Sequence, residues 1–191
     1  MRKRKMISYF CLSLVMVIGL ITIIASGGGD GGGDDGGGGG GSDTPVDETI
    51  DPYDIVPSTI TTFDHDDSIS ICMENGKPVI RMFSTSYCSH CAWSAKAFDP
   101  VVQMYVNEGE IVAHHWDLTT SDDLLTSQVE TEIPDSEMAI YNSYSGGYVP
   151  TFVFGCTYSR VGTGHEIADD LEAEAAEFMA VIEELLDATT P

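Results

Sequence analysis

Basic residues are scarce in this chain: 8 Lys and Arg stand against 31 Asp and Glu among 191 residues. Four of the eight are Arg2, Lys3, Arg4 and Lys5. Everything after them carries four bases (Lys77, Arg81, Lys96 and Arg160) against all 31 acids, a net charge of −27. A surface so poor in cations cannot neutralise phosphates, which excludes nucleic acid as a partner. It also excludes a peripheral domain held electrostatically on anionic lipid. Acids are absent in turn from the start of the chain, where none precedes Asp30. Disorder throughout is ruled out by a hydrophobic content of 42%. Such acidity fits an extracytoplasmic domain or a high-salt habitat, and composition leaves both open.

Charge is also missing from residues 6–25, MISYFCLSLVMVIGLITIIA. Twenty residues at about 1.5 Å each span about 30 Å, the hydrocarbon thickness of a bilayer. With the basic cluster before it, this run reads as a membrane anchor with its N-terminus in the cytoplasm and the rest outside. A cleaved signal peptide, giving a secreted or periplasmic product, is the rival reading, but its apolar core would be shorter. Ser26 stands where a lipobox needs Cys, so thioether lipidation there is chemically impossible. Residues 27–41 contain only glycine and aspartate and can bury nothing. The expected organisation is an anchor or signal segment over 1–26, a flexible linker over 27–57 and one folded domain over 58–191.

The domain reads as strand, helix, strand, helix, hairpin, helix. Ser68–Met73 alternates like a strand and runs into a turn at Glu74-Asn75-Gly76-Lys77. Residues 78–84 form a short apolar strand, a helix runs from Cys88 to Asn107, and residues 111–118 form another strand. Ser121 looks like a helix start, and a second helix covers residues 135–144. Residues 151–154 and 157–161 flank Gly155-Cys156, read as a two-residue hairpin turn. In the last helix, Asp169 is the expected N-cap. Leu171, Ala175, Phe178, Ile182 and Leu185 recur at helical spacing, and Glu172, Glu174, Glu177, Glu183 and Glu184 read as a solvated face.

Cys88-Ser89-His90-Cys91 carries the chemistry. A helix N-terminus offers unpaired N–H groups and about half a positive charge, both of which stabilise a thiolate on Cys88. Cys91, one turn along, can then attack a mixed disulfide formed by Cys88 and release the substrate. His90 adds a possible positive charge beside the sulfur. Zinc needs a second ligand pair, and the only candidate, His114-His115, points to opposite faces of a strand. Haem attachment is excluded because Ala92 replaces the required His.

The stretch from Lys77 to Cys91, KPVIRMFSTSYCSHC, together with Gly147–Phe154, GYVPTFVF, resembles the thioredoxin superfamily. The resemblance covers about Lys77 to Val161 and, more loosely, continues to Leu186. It implies a thioredoxin-like three-layer α/β/α sandwich with a central mixed sheet. It also implies a cis-proline at Pro150 beside the redox pair, with Val149 offering backbone groups to a bound chain. Tyr87 occupies a position where the family often has Trp and is expected to shield the thiol. Met82 replaces the family's buried Asp and Lys96 its helix-kinking proline. His in the third position resembles the family's disulfide isomerases and periplasmic oxidants.

The expected activity is thus that of a membrane-tethered, extracytoplasmic thiol–disulfide oxidoreductase. It would act on cysteine-containing proteins through Cys88 and Cys91, with His90 assisting, a separate redox partner recycling the pair, and no cofactor or metal. The alternatives are a non-catalytic binding module of the same fold and a metal handler using Cys88, His90 and Cys91. Asp117 is a candidate proton acceptor for Cys91. His165 reads as a surface loop residue, and Trp93 as either core or substrate-facing rim. Cys72 and Cys156 form an even complement with the active pair and would lie at the end of the sheet opposite Cys88. A structural disulfide between them is one reading; two unpaired thiols is the favoured one.

Overall fold

The computed structural model describes residues 50–190. The apolar run at 6–25 and the Gly/Asp tether, including the proposed membrane attachment, lie outside the described residues. Seven strands, three α-helices and two short 3-10 turns are present among the described residues. The strands are β1 (Asp64–His65), β2 (Met73–Glu74), β3 (Lys77–Ser84), β4 (Val112–Asp117), β5 (Asp122–Asp123), β6 (Thr151–Phe154) and β7 (Tyr158–Val161). The helices are α1 (Ser89–Asn107), α2 (Asp135–Tyr144) and α3 (Leu171–Thr189). No helix among the described residues is long and apolar enough to cross a membrane.

The sheet is mixed, in the order β1-β7-β6-β3-β4-β5, with β2 paired to β3. β3 runs parallel to β4 and antiparallel to β6. Lying centrally, β3 is buried on both faces, which is why residues 78–83 are apolar apart from Arg81, whose guanidinium is paired with Glu137. Ile80 and Met82 face a large core with Phe98, Phe152, Phe178 and Ile182, built from α1 and α3. Phe83 faces a smaller one with Trp116, Val153 and Tyr141, under α2. The molecule is therefore a mixed α/β fold with a central mixed sheet and helices on both faces.

Several local expectations are corrected. Ser68–Met73 is not a strand: pairing is confined to Met73 and Glu74, although the Asn75-Gly76 turn that follows is present, with both residues at positive φ. Ser121 starts no helix; it takes a left-handed conformation (φ 65°) and leads into β5. The hairpin loop between β6 and β7 has three residues, because Phe154 pairs with Tyr158. Gly155 is at φ 58°, and a Cβ there would lie 2.6 Å from Leu185 Cδ2, so both backbone and space require glycine. The N-cap of α3 is Asp170, which accepts from the Ala173 N–H, while Asp169 is left-handed. Residues 50–57 do not hang free: Ile50 and Ile55 pack on the larger core.

The largest departure concerns the glutamates of α3. Glu172 and Glu184 are solvated, but Glu174 and Glu177 are 0% exposed. Glu174 pairs with buried Arg160, whose guanidinium also lies over the rings of Phe63, Phe152 and Phe178 at 4.7–5.0 Å. Glu177 accepts from the N–H and hydroxyl groups of both Thr61 and Thr62 and bonds His165 Nε2 at 3.0 Å. Burial pushes the Glu177 carboxyl up, but those donors outweigh it and hold it below the ordinary value. His165 is accordingly part of this buried network rather than a free loop residue. Gly164 is fitted against it, since a Cβ would lie 2.6 Å from Arg160 Nη1.

Candidate active site

β3 ends at Ser84, and α1 starts after four intervening residues. Cys88 is the N-cap of α1, in extended conformation, and the Cys91 N–H donates to its Sγ at 3.0 Å. A free helix donor therefore aims at the sulfur, which is how a helix start favours a thiolate. Cys88 and Cys91 are joined in a disulfide with Cα atoms 5.2 Å apart. Cys88 is half-buried and Cys91 only 2% exposed, so attack from outside must come at Cys88. The Val149–Pro150 peptide bond is cis, and the Val149 carbonyl oxygen lies 3.9 Å from Cys88 Sγ. Two segments about 60 residues apart in sequence thus meet at one sulfur.

The other expected site residues divide. His90 is exposed on the first turn, with Nδ1 2.6 Å from Glu166 Oε2. Thr163 Oγ1 donates to the same carboxylate oxygen at 3.0 Å. Any positive charge on His90 is thereby opposed by a carboxylate that the linear sequence does not place nearby. Tyr87 is 89% exposed and projects into solvent rather than shielding the thiol. Trp93 is half-buried against the core, and its Nε1 donates to Asp169 Oδ1 at 2.9 Å. The loop between β7 and α3 is thus pinned to α1 twice, at His90 and at Trp93.

Asp117, the candidate proton acceptor for Cys91, is engaged with its own loop. It is buried at the end of β4 and accepts from Ser86 Oγ at 2.6 Å and from the Thr119 N–H at 2.7 Å. Burial pushes its carboxyl up, but these donors prevail and leave it below the ordinary range, a poor base. Its role is to shape the loop that presents Cys88. His114 and His115 point to opposite faces, as alternation demands. His114 Nδ1 meets Asp123 Oδ2 at 2.7 Å, while buried His115 bonds Asp99 and Ser84 at 2.8 and 2.9 Å. Among the described residues no group of three or more His, Cys, Asp or Glu side chains is arranged to hold a metal ion.

At the far end of the sheet Cys72 and Cys156 form a second disulfide, Cα atoms 5.4 Å apart. The favoured expectation of two free thiols is therefore corrected. Backbone bonds bring them together: the Cys72 N–H donates to the Gly155 carbonyl, and the Val79 N–H to the Cys72 carbonyl. Sequence reasoning missed Glu166, the Arg160 network and the Ser84–His115–Asp99 chain, none of which has a local signature.

No family model matches this chain, and no curated protein matches it. The crystal structure of a protein from Agrobacterium tumefaciens, solved by a structural genomics consortium, aligns over 61% of this chain with 15% identity and a TM-score of 0.34. The alignment spans 46% of that protein's length.

Proposed function

We propose that this protein is a thiol–disulfide oxidoreductase of thioredoxin-like fold that exchanges disulfides with cysteine-containing proteins. The observation that carries the reading is the Cys88–Cys91 disulfide at the start of α1, with a helix N–H on Cys88 Sγ and the cis-peptide carbonyl of Val149 beside it. In the oxidising direction, a substrate thiolate attacks Cys88 Sγ. The substrate–Cys88 bond forms, the Cys88–Cys91 bond breaks, and Cys91 leaves as a thiolate. A second substrate thiolate then attacks the substrate sulfur, forming the substrate disulfide and releasing Cys88. Two electrons pass from substrate to pair, and a separate redox partner removes them. In the reducing direction, Cys91 attacks the mixed disulfide and expels the substrate thiolate. The exposed Tyr87 and the backbone of Val149 are where a substrate chain would lie, with Pro150 holding that loop. The second disulfide supports a disulfide-permitting, extracytoplasmic compartment. The basic cluster and apolar run at the N-terminus supply the proposed tether to the membrane.

A trapping experiment tests this reading. Cys91→Ser should accumulate mixed disulfides through Cys88, and Cys88→Ser should accumulate none. Equal trapping by both variants, or by neither, overturns it.

A further inference from the structure

One polar side chain on the buried face of α1 has no partner. Ser94 is 0% exposed among Cys91, Ala97, Phe98 and Val101, and its Oγ makes no hydrogen bond among the described residues. Buried hydroxyls nearly always find an acceptor, and a serine inside a helix usually has one to hand in the carbonyl four residues back. Here that relief is not taken. Ser94 lies three residues after Cys91, so the two side chains are neighbours on one helix face, with Cβ atoms about 5–6 Å apart in such pairs. The Cα–Cβ bonds of a helix tilt toward its N-terminus, which directs the Ser94 hydroxyl to the turn that carries Cys91.

The structure holds the oxidised pair. There Cys91 Sγ is bonded to Cys88 Sγ and bears no proton and no charge. Reduction breaks that bond, adds two electrons, and leaves Cys91 as a thiol or thiolate at a position that is 2% exposed and packed in the larger core. Apolar burial disfavours a thiolate unless a donor meets it. Resting on the oxidoreductase reading, we propose that Ser94 is that donor. Its hydrogen bond to Cys91 is absent from the oxidised protein and made in the reduced one. The residue stabilises the reduced state and eases formation of the Cys91 thiolate, the group that attacks Cys88 Sγ and expels the substrate.

The test is Ser94→Ala in the full-length chain, equilibrated with reduced and oxidised glutathione. Two glutathione thiols supply the electrons, giving the Cys88/Cys91 dithiol and one glutathione disulfide. Loss of the hydrogen bond to the reduced Cys91 sulfur should disfavour the dithiol about tenfold. That is a potential about 30 mV more negative for a two-electron couple. The variant's reduced form should melt lower than the wild type's, and its oxidised form no lower. In a Cys91→Ala background, Ser94→Ala should leave the melting temperature unchanged. A variant whose oxidised form melts lower while the glutathione equilibrium stays at the wild-type value shows a structural hydroxyl and overturns the assignment. An unmoved equilibrium with unmoved melting overturns it equally. A wild-type pair that never exchanges with glutathione overturns the oxidoreductase reading and this inference with it. A wild-type pair that exchanges while Ser94→Ala changes nothing overturns the Ser94 assignment alone.

Discussion

The two disulfides lie beyond opposite ends of β3 and differ in almost every respect that governs a disulfide's behaviour. Cys88–Cys91 spans three residues, sits at a helix start and has one half-buried sulfur with an N–H aimed at it. Cys72–Cys156 spans 84 residues and ties the segment before β2 to the β6–β7 loop. Cys156 is buried in that loop, its carbonyl accepting from Tyr144 OH at 2.8 Å. Closing so long a loop removes much conformational freedom from the unfolded chain, whereas closing one helical turn removes little. The long bridge is thus suited to hold the fold, and the short one to be opened and reformed at small cost to it.

The sharpest way to break that contrast is to remove the long bridge. Replacing Cys72 and Cys156 together by Ala should lower the unfolding free energy by about 4–5 kcal/mol, the chain-entropy value for a loop of this length. Exchange at Cys88 should persist in whatever fraction stays folded. Urea unfolding and a glutathione assay on the same sample decide it; a folded variant that has lost exchange would contradict the division of labour.

A comparable loss should follow from Glu177→Ala, which removes one of the two buried carboxylates beside Arg160 and the acceptor shared by the N–H and hydroxyl groups of Thr61 and Thr62. Removing one partner of a buried ion pair costs about 3–5 kcal/mol. Urea unfolding should show that drop, and Glu172→Ala, on the solvated face, should show almost none.

The pair beside β5 gives a pH-dependent effect. Burial lowers the His114 pKa, but the Asp123 hydrogen bond and charge more than reverse this and leave it raised above 6.5. Its stabilisation is therefore complete below 6.5 and lost as pH rises through the higher folded value. Asp123 is also opposed by burial, yet its donors, His114 first, lower it below 3.8. Its contribution is present above 3.8 and lost as pH falls through the lower folded value. The difference in urea midpoint between wild type and His114→Gln should be greatest between pH 3.8 and 6.5. A difference flat from pH 4 to 9 would remove the ion pair from the account.

The smallest expected change belongs to His90. Because the Glu166 carboxylate lies 2.6 Å from its Nδ1, His90→Gln should make the Cys88–Cys91 pair less oxidising by no more than about 30 mV, equivalent to about 1.4 kcal/mol. An unchanged potential would mean that His90 does not act on the sulfur at all.

Local patterns were legible where burial and backbone geometry follow from neighbours in sequence. The cysteine pair after an apolar strand, the Asn75-Gly76 turn, the bounds of α2 and the apolar stripe of α3 could all be read from runs of a few residues. Val149-Pro150 stood out as part of a motif, and the chain indeed turns there in cis. The same local reading failed for Glu174 and Glu177. A glutamate-rich helix face looks solvated until a strand supplies an arginine, and Arg160 lies 14 residues from one of them in sequence.

Sequence by itself determined which sulfur is presented to an attacker, because a helix start after a buried strand exposes the first cysteine and covers the second. It also determined the acidity of the chain and the scarcity of cations after residue 5. Only the tertiary structure decided that Cys72 meets Cys156, that Glu166 reaches His90 across 76 residues, and that Asp117 spends its lone pairs on a loop. Pairings of that kind depend on which strand ends and loops the sheet brings within a few ångströms. No periodicity along the chain records that distance.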